Sequence, residues 1–425
     1  MTQKTHVLVF PCGAENAGEI YEALRYSLHV TLFGASSVED YGRFRFPHYT
    51  GGLPSIAEAG FDAAFSALLQ QQKIDVVFAT HDSVMAYLAD KAEGMGVFLV
   101  NGHPATAALA RSKRQTYARF AGQPWIPAVF DDAAAISTWP VLVKPDGGQG
   151  GQGVTLAHPP AQLQQALTTV TAPVVVEYLP GKELTVDCFT DRHRALVWVG
   201  ARTRQRVRAG ITMRSQPLAT SPAIQQIAEQ LNAGMILRGP WFFQVKQADD
   251  GQWKLLEVAC RVAGAMVVQR ACGVNLPLMA IHDYLGRDVR PLPNPHITLV
   301  ERCITSRAEL AFDYDSVFID FDDTLVIDGH ANPTAMAFLY QALAQGKALV
   351  LITRHADDLS QTLARVRIAE TLFDRILHLT AGEHKSDFVT PRSIFIDNHF
   401  PERADVAGRC GVPVFDVDAL AFLIR

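Results

Sequence analysis

A lysine followed by a glycine-rich turn marks residues 142–156, which read LVKPDGGQGGQGVTL. Glycine lets the backbone come close to phosphate oxygens and point several N–H groups at them, because no side chain is in the way. Lys144, at the end of the apolar run, adds a positive charge beside the turn. The segment therefore predicts a phosphate-binding site.

Three glycines of this turn, Gly148, Gly150 and Gly153, also have the spacing of the dinucleotide-binding fingerprint. That fingerprint needs a strand before it and a helix after it. Residues 154–157 are instead β-branched and apolar, so we expect the turn, with Gly151 inside it, to join two antiparallel strands. A P-loop does not fit either, because no Gly-Lys-Ser/Thr ends the glycine run.

A second chemical pattern lies in residues 316–326, where an apolar run is followed by Asp320 and Asp322. Carboxylates two residues apart at a strand end point to the same side of the chain. Alone, such a pair is most often a helix cap or part of a loop. Here further polar positions follow in order, two of them after apolar runs: Thr353, Lys385 and Asp397.

Residues 174–187, which read VVVEYLPGKELTVD, predict a buried strand, a turn at Pro-Gly and a second strand. At such a place the backbone of Tyr178 and Leu179 could read an adenine edge. Glu177 and Glu183 could reach the adenine amino group and the ribose hydroxyls. In the alternative interpretation, these acids are solvated side chains beside an ordinary turn.

Four arginines alternate along the next segment: Arg202, Arg204, Arg206 and Arg208. Alternating residues of one strand share a face, so these side chains could line one wall of a cleft. Guanidinium groups bind phosphate or carboxylate through paired hydrogen bonds, which suits a triphosphate or an acidic acceptor. An edge strand that carries charges against aggregation is the alternative.

The first hundred residues alternate between strand and helix patterns, with strands expected at residues 7–10, 30–34 and 75–79. A βαβ series of this kind implies a parallel sheet, whose ligands bind at the carboxyl ends of the strands. His81 and Asp82 follow the third of these strands and could contact a substrate. For Asp82, however, we expect the more common role of a helix cap.

Composition narrows the class of protein. The chain has 425 residues, of which 48% are hydrophobic and 19% charged, so we expect a globular enzyme of two to four folding units. A formal charge of −5 argues against nucleic-acid binding, and no apolar run reaches the ~18 residues of a membrane span. The N-terminus does not resemble a secretory signal, and the six scattered cysteines indicate reduced thiols, so we expect a cytoplasmic protein.

The glycine-rich turn, its preceding lysine and the Glu-Tyr-Leu segment together resemble the ATP-grasp enzymes. The resemblance implies that ATP is bound with Mg²⁺ and that the glycine hairpin forms a lid over the phosphates. It also assigns a second phosphate-binding lysine, Lys113, to a basic helix that would otherwise be interpreted as a solvated surface. The implied nucleotide-binding residues are Lys113, Lys144, Gly148, Gly150, Gly151, Gly153, Glu177, Tyr178, Leu179 and Glu183.

The same resemblance places Mg²⁺ on Gln244 and Glu257, which belong to two predicted strands joined by an Asp-Asp-Gly turn. The family has an asparagine where this chain has Ala259, so one oxygen ligand is missing, and phosphates and water would complete the coordination. Arg261 would stabilise a transferring phosphoryl group or an acyl phosphate. A structural arginine between carboxylates is the alternative.

The carboxylate pattern of residues 316–398 resembles the haloacid dehalogenase (HAD) phosphatases. The resemblance implies that Asp320 attacks phosphorus and that Asp322 protonates the leaving group and then activates water. Thr353 and Lys385 would hold the phosphoryl oxygens. Asp320, the carbonyl of Asp322 and Asp397 would bind Mg²⁺, with a further contact from Asn398 or Glu402.

These resemblances imply an α/β protein with three parts. Residues 1–100 would form a pre-ATP-grasp βαβ domain, and residues 101–305 an ATP-grasp fold of two α+β subdomains, with a lid at about 113–180. Residues 306–425 would form a Rossmann-like HAD domain without a large cap.

The leading functional hypothesis is a bifunctional enzyme. An ADP-forming ligase would join a small-molecule carboxylate to an amine or other nucleophile through an acyl phosphate. The HAD domain would then dephosphorylate a phosphorylated intermediate or product. In the alternative, the HAD domain is the enzyme and the ATP-grasp part only binds nucleotide. No nucleic-acid or membrane partner is expected, and the oligomeric state is left open, with a homodimer as one option.

Overall fold

The computed structural model describes residues 4–148, 151–158, 160–208 and 210–424. Gly150, one of the predicted phosphate-binding glycines, lies outside these ranges. The chain divides into two compact units, Met1–Cys303 and Ile304–Arg425, each with its own apolar core. None of the helices within the described ranges has both the length and the apolar character that crossing a membrane requires.

A β-sheet with interspersed helices forms the start of the first unit. Its elements are, in chain order, β1 (Thr5–Phe10), α1 (Glu15–Leu24), β2 (Val30–Ala35), β3 (His48–Thr50), α2 (Phe61–Gln71), β4 (Val76–Ala79), α3 (Asp82–Ala89), α4 (Ala92–Met95) and β5 (Phe98–Leu99). The strands lie in the order β3-β2-β1-β4-β5, and every pair is parallel. The predicted βαβ series is confirmed, and the interior strand β4 is buried along its whole length, as its continuous apolar sequence requires.

Three short helices and a small antiparallel sheet follow. They are α5 (Pro104–Arg111), α6 (Lys113–Arg119), β6 (Val129–Phe130), β7 (Val141–Pro145), β8 (Thr155–Ala157), α7 (Ala161–Thr169) and β9 (Pro173–Glu177). The strand order is β6-β9-β7-β8. Strands β7 and β8, on either side of the glycine-rich turn, pair in antiparallel fashion, which confirms the predicted hairpin.

A five-stranded antiparallel sheet, with a smaller sheet of three strands, completes the first unit. The elements are β10 (Glu183–Thr190), β11 (Leu196–Thr203), β12 (Arg206–Arg208), β13 (Ile211–Ser215), β14 (Pro217–Leu218), α8 (Pro222–Gly234), β15 (Gly239–Gln247), β16 (Trp253–Ala259), α9 (Val267–Ala271), α10 (Leu276–Tyr284) and β17 (Val300–Glu301). The strand orders are β14-β11-β10-β15-β16 and β12-β13-β17. Gln244 on β15 lies directly opposite Glu257 on β16, so the predicted pairing of their strands is confirmed.

The second unit is built on a separate parallel sheet. Its elements are β18 (Ser316–Ile319), β19 (Val326–Ile327), β20 (His330–Ala331), α11 (Pro333–Ala344), β21 (Ala348–Thr353), α12 (Leu359–Arg365), β22 (Arg375–His378), β23 (Ser393–Ile396), α13 (Phe400–Cys410), β24 (Val414–Phe415) and α14 (Leu420–Leu423). The five parallel strands lie in the order β22-β21-β18-β23-β24. Between β18 and α11 the chain forms the short hairpin of β19 and β20.

Candidate active site

One face of the five-stranded antiparallel sheet carries a row of polar side chains. Arg202 on β11, Thr185 on β10, Gln244 on β15 and Glu257 on β16 are directly opposed in successive strand pairs. Opposed residues point to the same face of a sheet, so the four side chains share one face. All but Thr185 line a cleft of about 610 Å³ in the first unit.

Lys144 enters this cleft from the end of β7, with its side chain 4% exposed. Its Nζ donates to Tyr117 Oη at 2.6 Å and to the Leu256 carbonyl at 3.4 Å. Withdrawal from water, and then the charge of Lys113, lowers the pKa of Lys144 to about 7. An anion in the cleft would favour the charged form of this lysine.

Lys113 is brought to the same place by the capping of α6. Ser112 caps the N-terminus of α6, and its Oγ donates to the Asp146 carboxylate at 2.8 Å. Asp146, directly after β7, also accepts from Arg114 N at 2.7 Å. Lys113 Nζ donates to the carbonyls of Asp146 and Gly148 at 3.3 and 3.4 Å. The helix is thereby attached to the first residues of the glycine-rich turn.

The described part of that turn has the backbone geometry that calls for glycine. Gly151 and Gly153 have φ angles of 70° and 73°, a region that side chains with a Cβ rarely adopt. Gly148 and Gly151 line the cleft, while Gly153 is not among the lining residues.

Eight of the predicted ATP-grasp site residues converge on the cleft: Lys113, Lys144, Gly148, Gly151, Glu183, Gln244, Glu257 and Arg261. They come from helix α6, from the glycine-rich turn and from the strands β7, β10, β15 and β16, and Arg261 is the second residue after β16. These eight residues bring two ammonium groups, two carboxylates and one guanidinium to the cleft.

The predicted adenine segment does not line the cleft itself. Glu177 Oε1 accepts from Ala128 N at 2.8 Å, and Leu179 is buried in the protein. Tyr178 is 39% exposed, and Nζ of the cleft residue Lys246 lies 5.8 Å from its ring centre. The segment therefore borders the cleft through Lys246, and its role in holding adenine stays a prediction.

Glu257 and Gln244 form the oxygen-bearing part of the row. Glu257 is enclosed by protein, which raises the pKa of its carboxyl, while Lys113, Arg261 and Lys144 act in the opposite direction. Ala259, in the position of the missing family ligand, is buried and lies opposite Phe242 on β15.

Within the described ranges, no three His, Cys, Asp or Glu side chains group closely enough to hold a metal ion. Glu257 and Gln244 together offer one carboxylate and one amide oxygen, which suits a cation that reaches the protein already bound to phosphates.

Arg261 is held by the N-terminal parallel sheet. Its Nε and Nη2 each donate to the Asp82 carboxylate at 2.8 Å, and its guanidinium lies 5.3 Å from the centre of the Phe242 ring. The expectation that Asp82 caps a helix is wrong, because His81 is the N-cap of α3 and no side chain caps that helix. Asp82 instead fixes the orientation of an arginine that lines the cleft.

The N-terminal sheet also contributes to the cleft, through His81 and through Asn16, which the sequence patterns did not single out. Asn16, at the start of α1, lines the cleft with Thr80 and His81, which follow β4. Asn16 Nδ2 donates to the carbonyls of Thr80 and Val262 at 2.7 and 3.1 Å. The sequence could have indicated these residues through the general rule that ligands bind at the carboxyl ends of parallel strands. The same rule had already pointed to His81.

The four alternating arginines do not line one wall. Strand β11 ends at Thr203, and the chain then enters β12 in a different sheet, so the alternation is broken. Two of the arginines line the cleft, each in an ion pair: Arg202 with Asp187 and Arg204 with Glu183. The other two lie elsewhere: Arg206 pairs with Glu301, and Arg208 is exposed.

A second group of charged residues lies at the carboxyl ends of three parallel strands in the C-terminal unit. Asp320 follows β18, Thr353 ends β21 and Asp397 follows β23, and all three are buried. Lys385 Nζ donates to Asp320 Oδ1 at 2.5 Å and to Asp397 Oδ2 at 2.7 Å. Burial raises the pKa of Asp320 to about 6, Lys385 lowers it and Asp397 raises it further.

Asp322 is placed differently from Asp320. Its two carboxylate oxygens lie 2.9 and 3.1 Å from His355 Nδ1, and His355 Nε2 lies 3.1 Å from Thr362 Oγ1. The expected further metal contact also differs, because the carboxylate of Glu402 pairs with Arg354 and Asn398 Oδ1 accepts from Thr324 Oγ1 at 3.2 Å. In this structure Lys385 lies between the two buried carboxylates.

The first unit has an α/β fold of the ATP-grasp type, with a cleft between a parallel sheet, a glycine-containing hairpin and an antiparallel sheet. Residues 169–303 match the family model described as ATP-grasp in the biosynthetic pathway with Ter operon. This match covers β9 to β17, including the row of Gln244 and Glu257.

A curated relative matches over part of the chain. The phosphoribosylamine–glycine ligase of Brucella melitensis biotype 1 is 30% identical over 188 residues, which is 38% of this chain. The match spans 42% of the length of that ligase.

Several solved structures share the fold. The L-amino acid ligase from Bacillus licheniformis has a TM-score of 0.52 at 17% identity and covers 69% of this chain and 76% of its own. The N5-carboxyaminoimidazole synthetase from Staphylococcus aureus, complexed with ADP, has a TM-score of 0.56 at 15% identity, with coverages of 68% and 79%.

The biotin carboxylase domain dimer of the Hydrogenobacter thermophilus 2-oxoglutarate carboxylase, in complex with MgADP, ADP and bicarbonate, has a TM-score of 0.57 at 16% identity, with coverages of 70% and 73%. Identities this low show the fold alone.

Proposed function

We propose that the first unit is an ADP-forming ligase that joins a carboxylate to an amine or other nucleophile through an acyl phosphate. The observation that supports this most is the convergence of Lys113 and Lys144 on a cleft that also holds Glu257 and Arg261. Cations for phosphates, an oxygen ligand for their Mg²⁺ and an arginine for the transferred group are what such a reaction needs.

Each group has a defined task in this proposal. The two lysines and the glycine-rich turn bind the ATP phosphates, and Glu257 and Gln244 would hold the Mg²⁺ that accompanies ATP. A carboxylate oxygen of the first substrate attacks the γ-phosphorus, and ADP leaves. The nucleophile then attacks the acyl carbon, loses a proton and displaces phosphate. Arg261, oriented by Asp82, stabilises the charge on the transferring group.

The first test measures ADP release by the full chain with ATP, Mg²⁺ and a panel of carboxylates and amines. We expect one pair to stimulate release in the wild type, and we expect Lys144→Ala and Glu257→Ala to abolish it. Lys182→Ala is the matched control, because Lys182 is exposed on the turn before β10 and does not line the cleft. Trapping with hydroxylamine identifies the acyl phosphate.

A nucleotide that binds without ADP release under any pairing would contradict the ligase proposal. Such a result would favour a module that only binds nucleotide. Ala259 supports this second role, because it stands where the resemblance expects an oxygen ligand.

We further propose that the C-terminal unit is a phosphohydrolase that acts through an aspartyl phosphate on a phosphorylated small molecule. The supporting observation is Lys385 between Asp320 and Asp397, with Thr353 at the end of the neighbouring strand. Asp320 would attack phosphorus, Lys385 and Thr353 would hold the phosphoryl oxygens, and Asp322 would exchange protons with the leaving group and water.

The acids present fit a divalent cation. Asp320 and Asp397 are buried and share a single ammonium group, so one negative charge in this place is uncompensated. The two carboxylates and the Asp322 carbonyl are the oxygens that would hold Mg²⁺, which would supply charge stabilisation at the phosphoryl group.

Hydrolysis of p-nitrophenyl phosphate with Mg²⁺ tests this second activity. We expect Asp320→Asn to abolish it and Asp323→Asn to leave it unchanged. Asp323 is a suitable control because it is exposed and has a φ of 54°, which asparagine tolerates. Equal loss in both variants, or activity that survives Asp320→Asn, would contradict the assignment.

A further inference from the structure

The cleft of the first unit contains a second group of cationic and polar side chains, beyond the residues assigned to ATP. Arg202 is in the same cross-strand row as Glu257 but on β11, three strand positions away in the sheet order. At the usual strand spacing, their backbones are separated by roughly 14 Å. The end of the cleft at β11 is therefore distinct from the place assigned to the Mg²⁺ of ATP.

Arg202 presents a free hydrogen-bond donor at that end. The residue is 1% exposed, its Nε donates to Asp187 Oδ2 at 2.7 Å and its Nη2 donates to Asp187 Oδ1 at 3.3 Å. Gln269 Nε2 holds the same carboxylate at 3.1 Å. Nη1 of Arg202 has no partner among the described residues. A buried charged donor without an acceptor is costly unless a ligand satisfies it.

Two residues complete the group: Thr212 on β13, which lines the cleft, and Arg302, directly after β17, which is not itself a lining residue but contacts Thr212. Thr212 is 2% exposed, lines the cleft and has a hydroxyl without a hydrogen-bond partner in the described part of the chain. Arg302 Nη1 donates to the Thr212 carbonyl at 3.4 Å. Burial lowers the pKa of the Arg302 guanidinium, while Glu15, Glu19 and Tyr41 act in the opposite direction and Arg202 adds to the lowering.

Gly264 keeps this place open. It lines the cleft, and a Cβ placed on it would lie 3.9 Å from Arg302 Nη1 and 3.7 Å from Glu15 Cβ. A side chain at this position would begin in van der Waals contact with the guanidinium of Arg302. The absence of one leaves room for a ligand next to Arg302.

The N-terminus of α1 borders the same space. This ten-residue helix has Ala14 as its N-cap, without a side-chain cap hydrogen bond, and Ala14, Glu15 and Asn16 line the cleft. Its free N–H groups add positive potential. Glu15 is the acidic side chain at this end, whereas the Glu19 carboxylate is already held by Arg270 through two contacts of 2.8 Å.

We propose that Arg202, Thr212 and Arg302 form a binding subsite for an anionic group, a carboxylate or a phosphate, on one of the two small molecules that the ligase joins. The group bound here is separate from the carboxylate that is phosphorylated. That the anion belongs to a ligase substrate rests on the function proposed above. That an anion binds at this subsite does not depend on that function. The substrate class is thus a molecule with a second, non-reacting anionic group.

The test titrates inorganic phosphate, malonate and neutral malonamide into the full chain saturated with Mg²⁺ and a non-hydrolysable ATP analogue, which fills the triphosphate site. Isothermal titration calorimetry measures each dissociation constant. We expect at least one anion to bind and malonamide not to bind. Arg302→Met and Thr212→Val should each weaken anion binding roughly 10- to 100-fold without changing the affinity for the analogue.

Two further variants sharpen the comparison. Arg208→Met removes an exposed arginine that does not line the cleft, and should leave anion binding unchanged. Glu15→Gln removes the nearby negative charge and should tighten anion binding. If Arg302→Met does not fold, Thr212→Val, which replaces only a hydroxyl group, carries the comparison.

The subsite is refuted if neither anion binds the wild type, or if Arg208→Met weakens binding as much as Arg302→Met. Preference for phosphate or for malonate identifies which anion the substrate carries. Failure of the ligase proposal would be seen separately, as a lack of ADP release or of heat from the nucleotide analogue.

Discussion

Lys144 couples nucleotide binding to pH. In the folded protein its pKa is about 7, well below the ordinary value of a lysine, because its ammonium group is buried and lies near Lys113. Between pH 7 and the ordinary lysine pKa the unfolded chain holds more protons, so the contribution of Lys144 to stability increases as the pH rises. Phosphate binding has the opposite pH dependence, since it needs the charged form of Lys144, which is lost as the pH rises.

Proton uptake on nucleotide binding follows from this conflict. At pH 8.5 we expect binding of a non-hydrolysable ATP analogue to take up about one proton, as Lys144 is recharged beside the phosphates. Calorimetric titrations in buffers of different ionisation enthalpy measure this number. The uptake should disappear in Lys144→Met and persist in Lys182→Met, and equal uptake in both variants would assign it to another group.

At the scale of elements, helix α6 positions Lys113. Its cap residue Ser112 and the carboxylate of Asp146 are hydrogen bonded, so the helix start and the glycine-rich turn form one connected structure. A misplaced helix start would move Lys113 away from the phosphates. Correct capping is therefore expected to matter for binding as well as for stability.

Ser112→Ala is expected to lower the free energy of unfolding of the first unit by about 1 kcal/mol, the usual cost of a lost cap, and to weaken ATP binding. Ser221→Ala is the matched control, because Ser221 caps α8 in the same way and does not line the cleft. Chemical denaturation should show similar losses for both variants. In nucleotide titrations, only Ser112→Ala should weaken binding. Equal weakening in both variants would contradict the proposal that the cap of α6 positions Lys113 for binding.

Local patterns predicted the strands and the hairpin well. The parallel strands, the hairpin at the glycine-rich turn and the pairing of Gln244 with Glu257 each depend on apolar runs, turn residues and short spacings. The arginine alternation failed for a local reason as well, since nothing in the sequence showed that β11 ends at Thr203 and that β12 belongs to another sheet.

Contacts between distant segments were not predictable in the same way. Arg261 and Asp82 are 179 residues apart, and Arg270 and Glu19 are 251 residues apart. Arginines occur throughout the chain, so no spacing identifies which carboxylate each one binds. The anion subsite has the same character, because Arg202, Thr212 and Arg302 come from three strands or strand ends that only the folded sheets bring together.

At the scale of the whole molecule, the two compact units have separate apolar cores. The core of the first unit combines residues of the N-terminal sheet, such as Phe10, with residues of the antiparallel sheet, such as Phe243. The core of the second unit is formed by residues such as Phe338 on α11 and Ile319 on β18. Damage to one core is therefore expected to leave the cleft of the other unit intact.

Phe338→Ala tests this independence, because Phe338 is 1% exposed and its loss leaves a cavity. We expect the C-terminal unit to lose about 3–5 kcal/mol of stability and its phosphohydrolase activity to fall at elevated temperature. The affinity of the full chain for Mg²⁺ with an ATP analogue should stay unchanged, since every residue of the nucleotide cleft belongs to the first unit. Thermal unfolding with and without the analogue distinguishes the outcomes. A parallel loss of nucleotide affinity would show that the two units depend on each other for folding.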